Sequence, residues 1–73
     1  MSFKPYPFEK FPLPLKGIVS KTITANIPGR IRFQGTFWPA HLYQGGRLTT
    51  LYPNSPVSVI GRQGIALLVK SET

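Results

Sequence analysis

Few side chains in this 73-residue chain are of the kinds that do covalent or proton-transfer chemistry. It has one histidine, His41, no cysteine and no aspartate, and its two carboxylates, Glu9 and Glu72, stand near opposite ends. Paired-carboxylate chemistry and a Ser-His-Asp relay both need an acidic group within hydrogen-bond reach of a second titratable group, and this inventory does not supply one. A single imidazole is also too little for a metal, since ordinary zinc sites take three or four protein ligands. His41 is therefore expected as an exposed strand residue, with no catalytic residue, cofactor or metal. The glycines do not form a phosphate cradle either: none clusters between a strand and a helix, and no lysine follows at Walker spacing.

The remaining chemistry is attraction of anions and stacking. Nine Lys and Arg against two Glu give a formal net charge of +7, and no carboxylate side chain lies between Gly17 and Lys70. Read this way, both acids fall outside the folded region. Lys21, Arg30, Arg32, Arg47, Arg62 and Lys70 then project their field into solvent or onto an anionic partner, and the plain alternative is solubility alone. Arg30, Arg32 and Phe37 lie together in GRIRFQGTFWPA (29–40); with Arg47 and Arg62 they are the candidate partner-binding residues. Bases beside an aromatic suit a single nucleic-acid strand, whose phosphates they steer while its bases stack. Core volume is the competing use of the rings. Phe33 shares strand parity with Ile31, and Trp38 with Ala40 and Leu42, which points both inward and leaves Phe37 on the opposite face.

These residues need short strands to position them. From Lys16 onward the chain is a series of β-type runs broken by turn residues, without a sustained helical spacing. The expected strands are Gly17 to Ala25, Arg30 to Gln34, Phe37 to Tyr43, Arg47 to Tyr52, Val57 to Ile60 and Ile65 to Val69. Val19, Ile23 and Ala25 would share one face of the first. Gly35, Gln44-Gly45-Gly46, Pro53-Asn54-Ser55-Pro56 and Arg62-Gln63-Gly64 provide the turns. All pairings are expected to be antiparallel hairpins. Ile65 to Val69 is apolar on both parities, so both its faces should be covered. Short strands in about 55 residues are best closed into a small barrel, which leaves no open edge to aggregate.

Residues 1–16, MSFKPYPFEKFPLPLK, hold four of the eight prolines. Because proline fixes φ and lacks a ladder donor, this segment is expected to be an extended Pro-rich tail outside the sheet. Phe3, Tyr6, Phe8 and Phe11 are the side chains by which it would dock. The domain organisation expected is a tail over 1–16, a barrel over 17–70 and a short C-terminal tail over 71–73. The longest aliphatic run, Ile65 to Val69, falls far short of the roughly 20 residues that span a bilayer as a helix. The N-terminus also lacks an uninterrupted apolar stretch of signal-peptide length, which makes a cytoplasmic location the expectation. Lys4, Lys10 and Lys16, interleaved with the aromatics, suit weak extended association with an anionic membrane.

Three segments together carry a family resemblance: Gly29 to Ala40, then LYPNSPVSVI (51–60), then GIALLV (64–69). Their pattern of glycine, short aliphatic strand, glycine, aromatic and alanine, followed by a V-x-V strand and a final hairpin, resembles the C-terminal domain of NfeD-like proteins over about three quarters of the chain. The resemblance implies an all-β, five- to six-stranded OB-type barrel, in a family usually joined to membrane-spanning segments and encoded beside stomatin- or prohibitin-like scaffolds. Its implied role is contact with protein. Longer relatives carry a serine protease domain whose motif is not found here, so no catalytic residue carries over. The sequence departs from the pattern at Asn54, where glycine is usual, and at Pro28, one place late; the membrane helices are also missing. The function expected is thus a non-enzymatic adaptor with a protein partner, acting near an anionic membrane surface. The alternative is a basic OB-fold single-stranded nucleic-acid binder, and self-association through the edge of the Arg47 to Tyr52 strand is a third use.

Overall fold

Alternation at period two builds the sheet of the computed structural model, which describes residues 8–43 and 50–72. In β2 (Gly29–Phe33), Ile31 and Phe33 are buried while Arg30 and Arg32 between them are exposed. A two-residue turn, Gln34-Gly35, with φ of 51° and 81°, then leads into β3 (Thr36–Leu42). Two successive positive φ values mark a type I′ turn, whose twist matches that of the strands it joins.

Among the described residues the strands are β1 (Phe8–Lys21), β2, β3, β4 (Pro56–Gln63) and β5 (Ala66–Ser71), closed into a barrel in the order β1-β2-β3-β5-β4. This is a small closed OB-type barrel of the expected five- to six-stranded kind, with five strands among the described residues. Not every pairing is a hairpin, however. β3 and β5 run parallel, with Ala40, His41 and Leu42 opposite Leu67, Leu68 and Val69. With β4 seated beside β1, closure of the barrel sets β5 between β4 and β3, in the same direction as β3.

β1 corrects the expectation of a tail outside the sheet. Its first half pairs with β4, from Phe8 opposite Gln63 to Lys10 opposite Gly61, and again from Leu15 opposite Val59 to Ile18 opposite Pro56. Between these stretches the register slips, so that Phe11 to Pro14 face Ile60 alone. Pro12 and Pro14 fall in that irregular stretch, where a missing ladder donor costs nothing. The prolines thus bend the strand without ending it. β1 also pairs with β2 through Ile18 to Lys21, so one long strand closes two seams of the barrel.

Gly61 makes this closure possible. A Cβ there would lie 2.4 Å from the Glu9 carbonyl oxygen, 2.9 Å from Phe8 Cε1 and 3.0 Å from Lys10 Cα. β1 crosses β4 at a distance that only a residue without a side chain permits.

The interior is aliphatic: Val19, Ile23, Ile31, Ala40, Leu51, Val57, Val59, Leu67 and Val69, capped by Phe33, with Phe11, Trp38 and Leu42 packed against the cluster. Each fully buried aliphatic side chain contributes about 1.5–3 kcal/mol.

Other boundaries shift. The first strand ends at Lys21; Ile23 continues its line only as an isolated bridge to Leu51, and Ala25 is exposed. Pro28 lies in the connection and Gly29 opens β2. Of the expected strand Arg47 to Tyr52, Leu51 forms that bridge and Thr50 and Tyr52 beside it are not in a strand, while residues 47–49 and the Gln44-Gly45-Gly46 turn lie outside the described residues. β4 continues through Arg62 and Gln63, so the last turn is Gly64-Ile65, with Gly64 at φ 64°. Ile65 itself is 78% exposed, and in β5 Leu67 and Val69 turn inward. The segment 51–55 is tied to β1 through Val19, whose N–H donates to the Ser55 carbonyl at 2.9 Å and whose carbonyl accepts from Asn54 at 2.7 Å. The Ser55 N–H donates to the Tyr52 carbonyl at 3.1 Å, with Pro53 and Asn54 (φ 73°) between them. This is a type II turn.

Candidate functional site

The hairpin register decides which surface residues meet. The Gln34-Gly35 turn places Phe33 opposite Thr36, and hence Arg32 opposite Phe37 and Arg30 opposite Pro39. On the other side of β2, Ile18 lies opposite Arg32 and Lys21 opposite Arg30. Two outward rows therefore cross the three strands: Ile18, Arg32, Phe37 and Lys21, Arg30, Pro39. Neighbours within a row are about 4.8 Å apart in backbone spacing, and the rows about 7 Å apart along β2. Arg30, Arg32 and Lys21 are exposed, as are Ile18 (45%) and Phe37 (58%).

Of the five candidate partner-binding residues, the fold gathers three, Arg30, Arg32 and Phe37. Arg62 lies apart. Its Nη2 is 3.4 Å from Oε1 of Glu9, directly across the β1–β4 ladder, which corrects the expectation that both acids lie outside the fold and that Arg62 lacks an acid. With both side chains well exposed, the pair contributes less than about 1 kcal/mol. Its effect here is to take Arg62 out of the free basic set. Arg47 lies outside the described residues, as do Phe3 and Tyr6 of the docking set. Phe11 packs against the core, and Phe8 lies over Gly61 with its ring centroid 6.5 Å from that of Tyr43. Ile18 and Lys21 complete the surface but were not among the candidates; the outward parity of Ile18 beside buried Val19 was the available signal.

Trp38 is half-buried against the core, with Nε1 enclosed and without a hydrogen-bond partner. Its ring is structural volume, and Phe37 is the aromatic that faces out. His41 is exposed on β3. Among the described residues no three His, Cys, Asp or Glu side chains gather as metal ligands would. The surface is thus suited to holding an anionic, partly apolar partner by charge and contact.

No family model matches the chain, and no curated protein does. Among solved structures it is similar to the C-terminal domain of stomatin operon partner protein 1510-C from Pyrococcus horikoshii, with a TM-score of 0.67 and 26% sequence identity. The match covers 84% of this chain and 88% of that one. That neighbour is itself NfeD-like, so the chain resembles the C-terminal domain of NfeD-like proteins both in its sequence pattern and in its fold.

Proposed function

We propose that this barrel is a non-enzymatic interaction module, an adaptor that binds a stomatin-like scaffold protein beside an anionic membrane. The observation that carries the reading is the likeness, over 84% of the chain, to a domain described as belonging to a stomatin operon partner protein. The side-chain inventory agrees, because the exposed face offers charge and apolar contact, and the sequence has no cysteine or aspartate and only one histidine. The test is to mix the purified chain with the stomatin-like protein of the same organism and measure association by calorimetry and light scattering. Saturable binding at micromolar concentrations is expected. Absence of binding at about 100 µM of each protein would end this reading.

A second reading, a single-stranded nucleic-acid binder, is favoured by one observation. Arg30, Arg32 and Phe37 share the outer side of β2 and β3, the strands on which OB barrels take oligonucleotides. Its signature is affinity for an oligothymidylate that falls steeply with salt. A flat titration at low salt would dismiss it.

A further inference from the structure

We infer that the outer face of β1–β2–β3 is the surface by which the barrel takes its protein partner, and that the docking segment of the partner alternates carboxylates with apolar side chains. This rests on the protein-partner reading above and adds the place and the chemistry. Lys21, Arg30 and Arg32 stand on this face with Ile18, Phe37 and Pro39 set between and beside them. Arg30 and Arg32 occupy the middle strand with Lys21 beside Arg30 on β1, and the exposed apolar side chains of Ile18 on β1 and Phe37 on β3 flank Arg32 on its two sides. A partner that satisfied only the charge would leave Ile18 and Phe37 in water; one that satisfied only the apolar groups would strip water from three uncompensated cations.

The chain has no side chain of its own to cover these cations. Its two carboxylates are Glu9, held by Arg62 near the start of β1, and Glu72, beyond the end of β5. Residues 1–7 and 44–49 contain no carboxylate, so no other segment of the chain can supply one. A second copy seated face to face would set six cations against each other, which excludes the symmetric dimer as the occupant. A nucleic-acid strand fits less well, because Phe37 is the single exposed aromatic in the two rows, whereas stacking platforms set rings under successive bases.

The test compares two charge-reversed variants of the full chain, each checked for native melting. Arg30→Glu/Arg32→Glu alters the face. Lys10→Glu/Lys70→Glu makes the same change in net charge away from it. Binding of the stomatin-like protein is expected to weaken at least about tenfold for the first and less than about twofold for the second. Equal weakening, or none, overturns the inference while leaving the partner reading intact. If the unaltered chain does not bind that protein, the partner reading falls by itself, and the face is tested with a synthetic peptide of alternating Glu and Leu. Amide shift changes confined to Ile18, Lys21, Arg30, Arg32, Phe37 and their neighbours support the inference. Changes elsewhere, no changes, or changes on this face with an oligothymidylate at concentrations where the peptide gives none, refute it.

Discussion

Replacing Gly61 by alanine should release the start of β1 from the barrel while leaving the rest of the sheet paired. The added methyl would meet the Glu9 carbonyl oxygen at 2.4 Å, with Phe8 Cε1 and Lys10 Cα at 2.9 and 3.0 Å. Two of these three atoms are backbone, so rotamer changes cannot relieve the contact. If β1 stayed in place the overpacking would cost about 1–3 kcal/mol. If it moved away, the loss would be the ladder bonds of Phe8 to Lys10, the exposed Glu9–Arg62 pair and the packing of a partly exposed Phe8 ring. At about 1 kcal/mol per hydrogen bond and less than that for the ion pair, this alternative costs about 2–3 kcal/mol. Either route gives roughly 2 kcal/mol, or a fall in Tm of about 8–16 °C for a chain of this size.

Thermal melts give the magnitude, and amide exchange locates it. Protection should be lost at the start of β1 and at its β4 partners, and kept at Val57 and Val59, which pair with Gly17 and Leu15. Removing residues 1–10 supplies the decisive comparison. Without that segment the three atoms nearest the methyl are gone, so Gly61→Ala should cost less than about 0.5 kcal/mol. An unchanged Tm in the full chain, or the same penalty with and without residues 1–10, would refute the claim that β1 crosses β4 at this glycine.

Three other outcomes follow from the same geometry. Asn54→Ala should cost about 1 kcal/mol, because φ 73° at the third position of the Tyr52–Ser55 turn suits asparagine or glycine, and Asn54→Gly should melt within a few degrees of the unaltered chain. Ile31→Ala, at a fully buried position between Val19 and Trp38, should cost about 2–5 kcal/mol and leave so small a domain largely unfolded at 37 °C, as circular dichroism would show. Glu9→Gln removes the carboxylate facing Arg62, yet it should change the denaturant midpoint by less than the equivalent of about 1 kcal/mol, since the pair is exposed and screened. A larger effect would mean that the pair fixes β1 more firmly than its exposure implies.

What the sequence alone determined is local. The parity of Arg30-Ile31-Arg32-Phe33, the glycine at 35 and the asparagine at 54 depend on alternation and on φ, which a few consecutive residues dictate. They yielded β2, the turn into β3, the outward Phe37 and the inward Phe33 and Trp38. Even the pairing of Arg32 with Phe37 is local, because a two-residue turn sets its own register. Tertiary structure decided which distant strands are neighbours. The prolines of the first sixteen residues argued for a tail, yet Phe8 to Lys21 form the strand that closes two seams, because the slip opposite Ile60 accommodates Pro12 and Pro14 and Gly61 leaves room for the backbone. The parallel contact of β3 with β5, the pairing of Glu9 with Arg62 and the position of Ile18 beside Arg32 are likewise consequences of closure. They depend on how five strands fill one interior, and no short stretch of sequence encodes that.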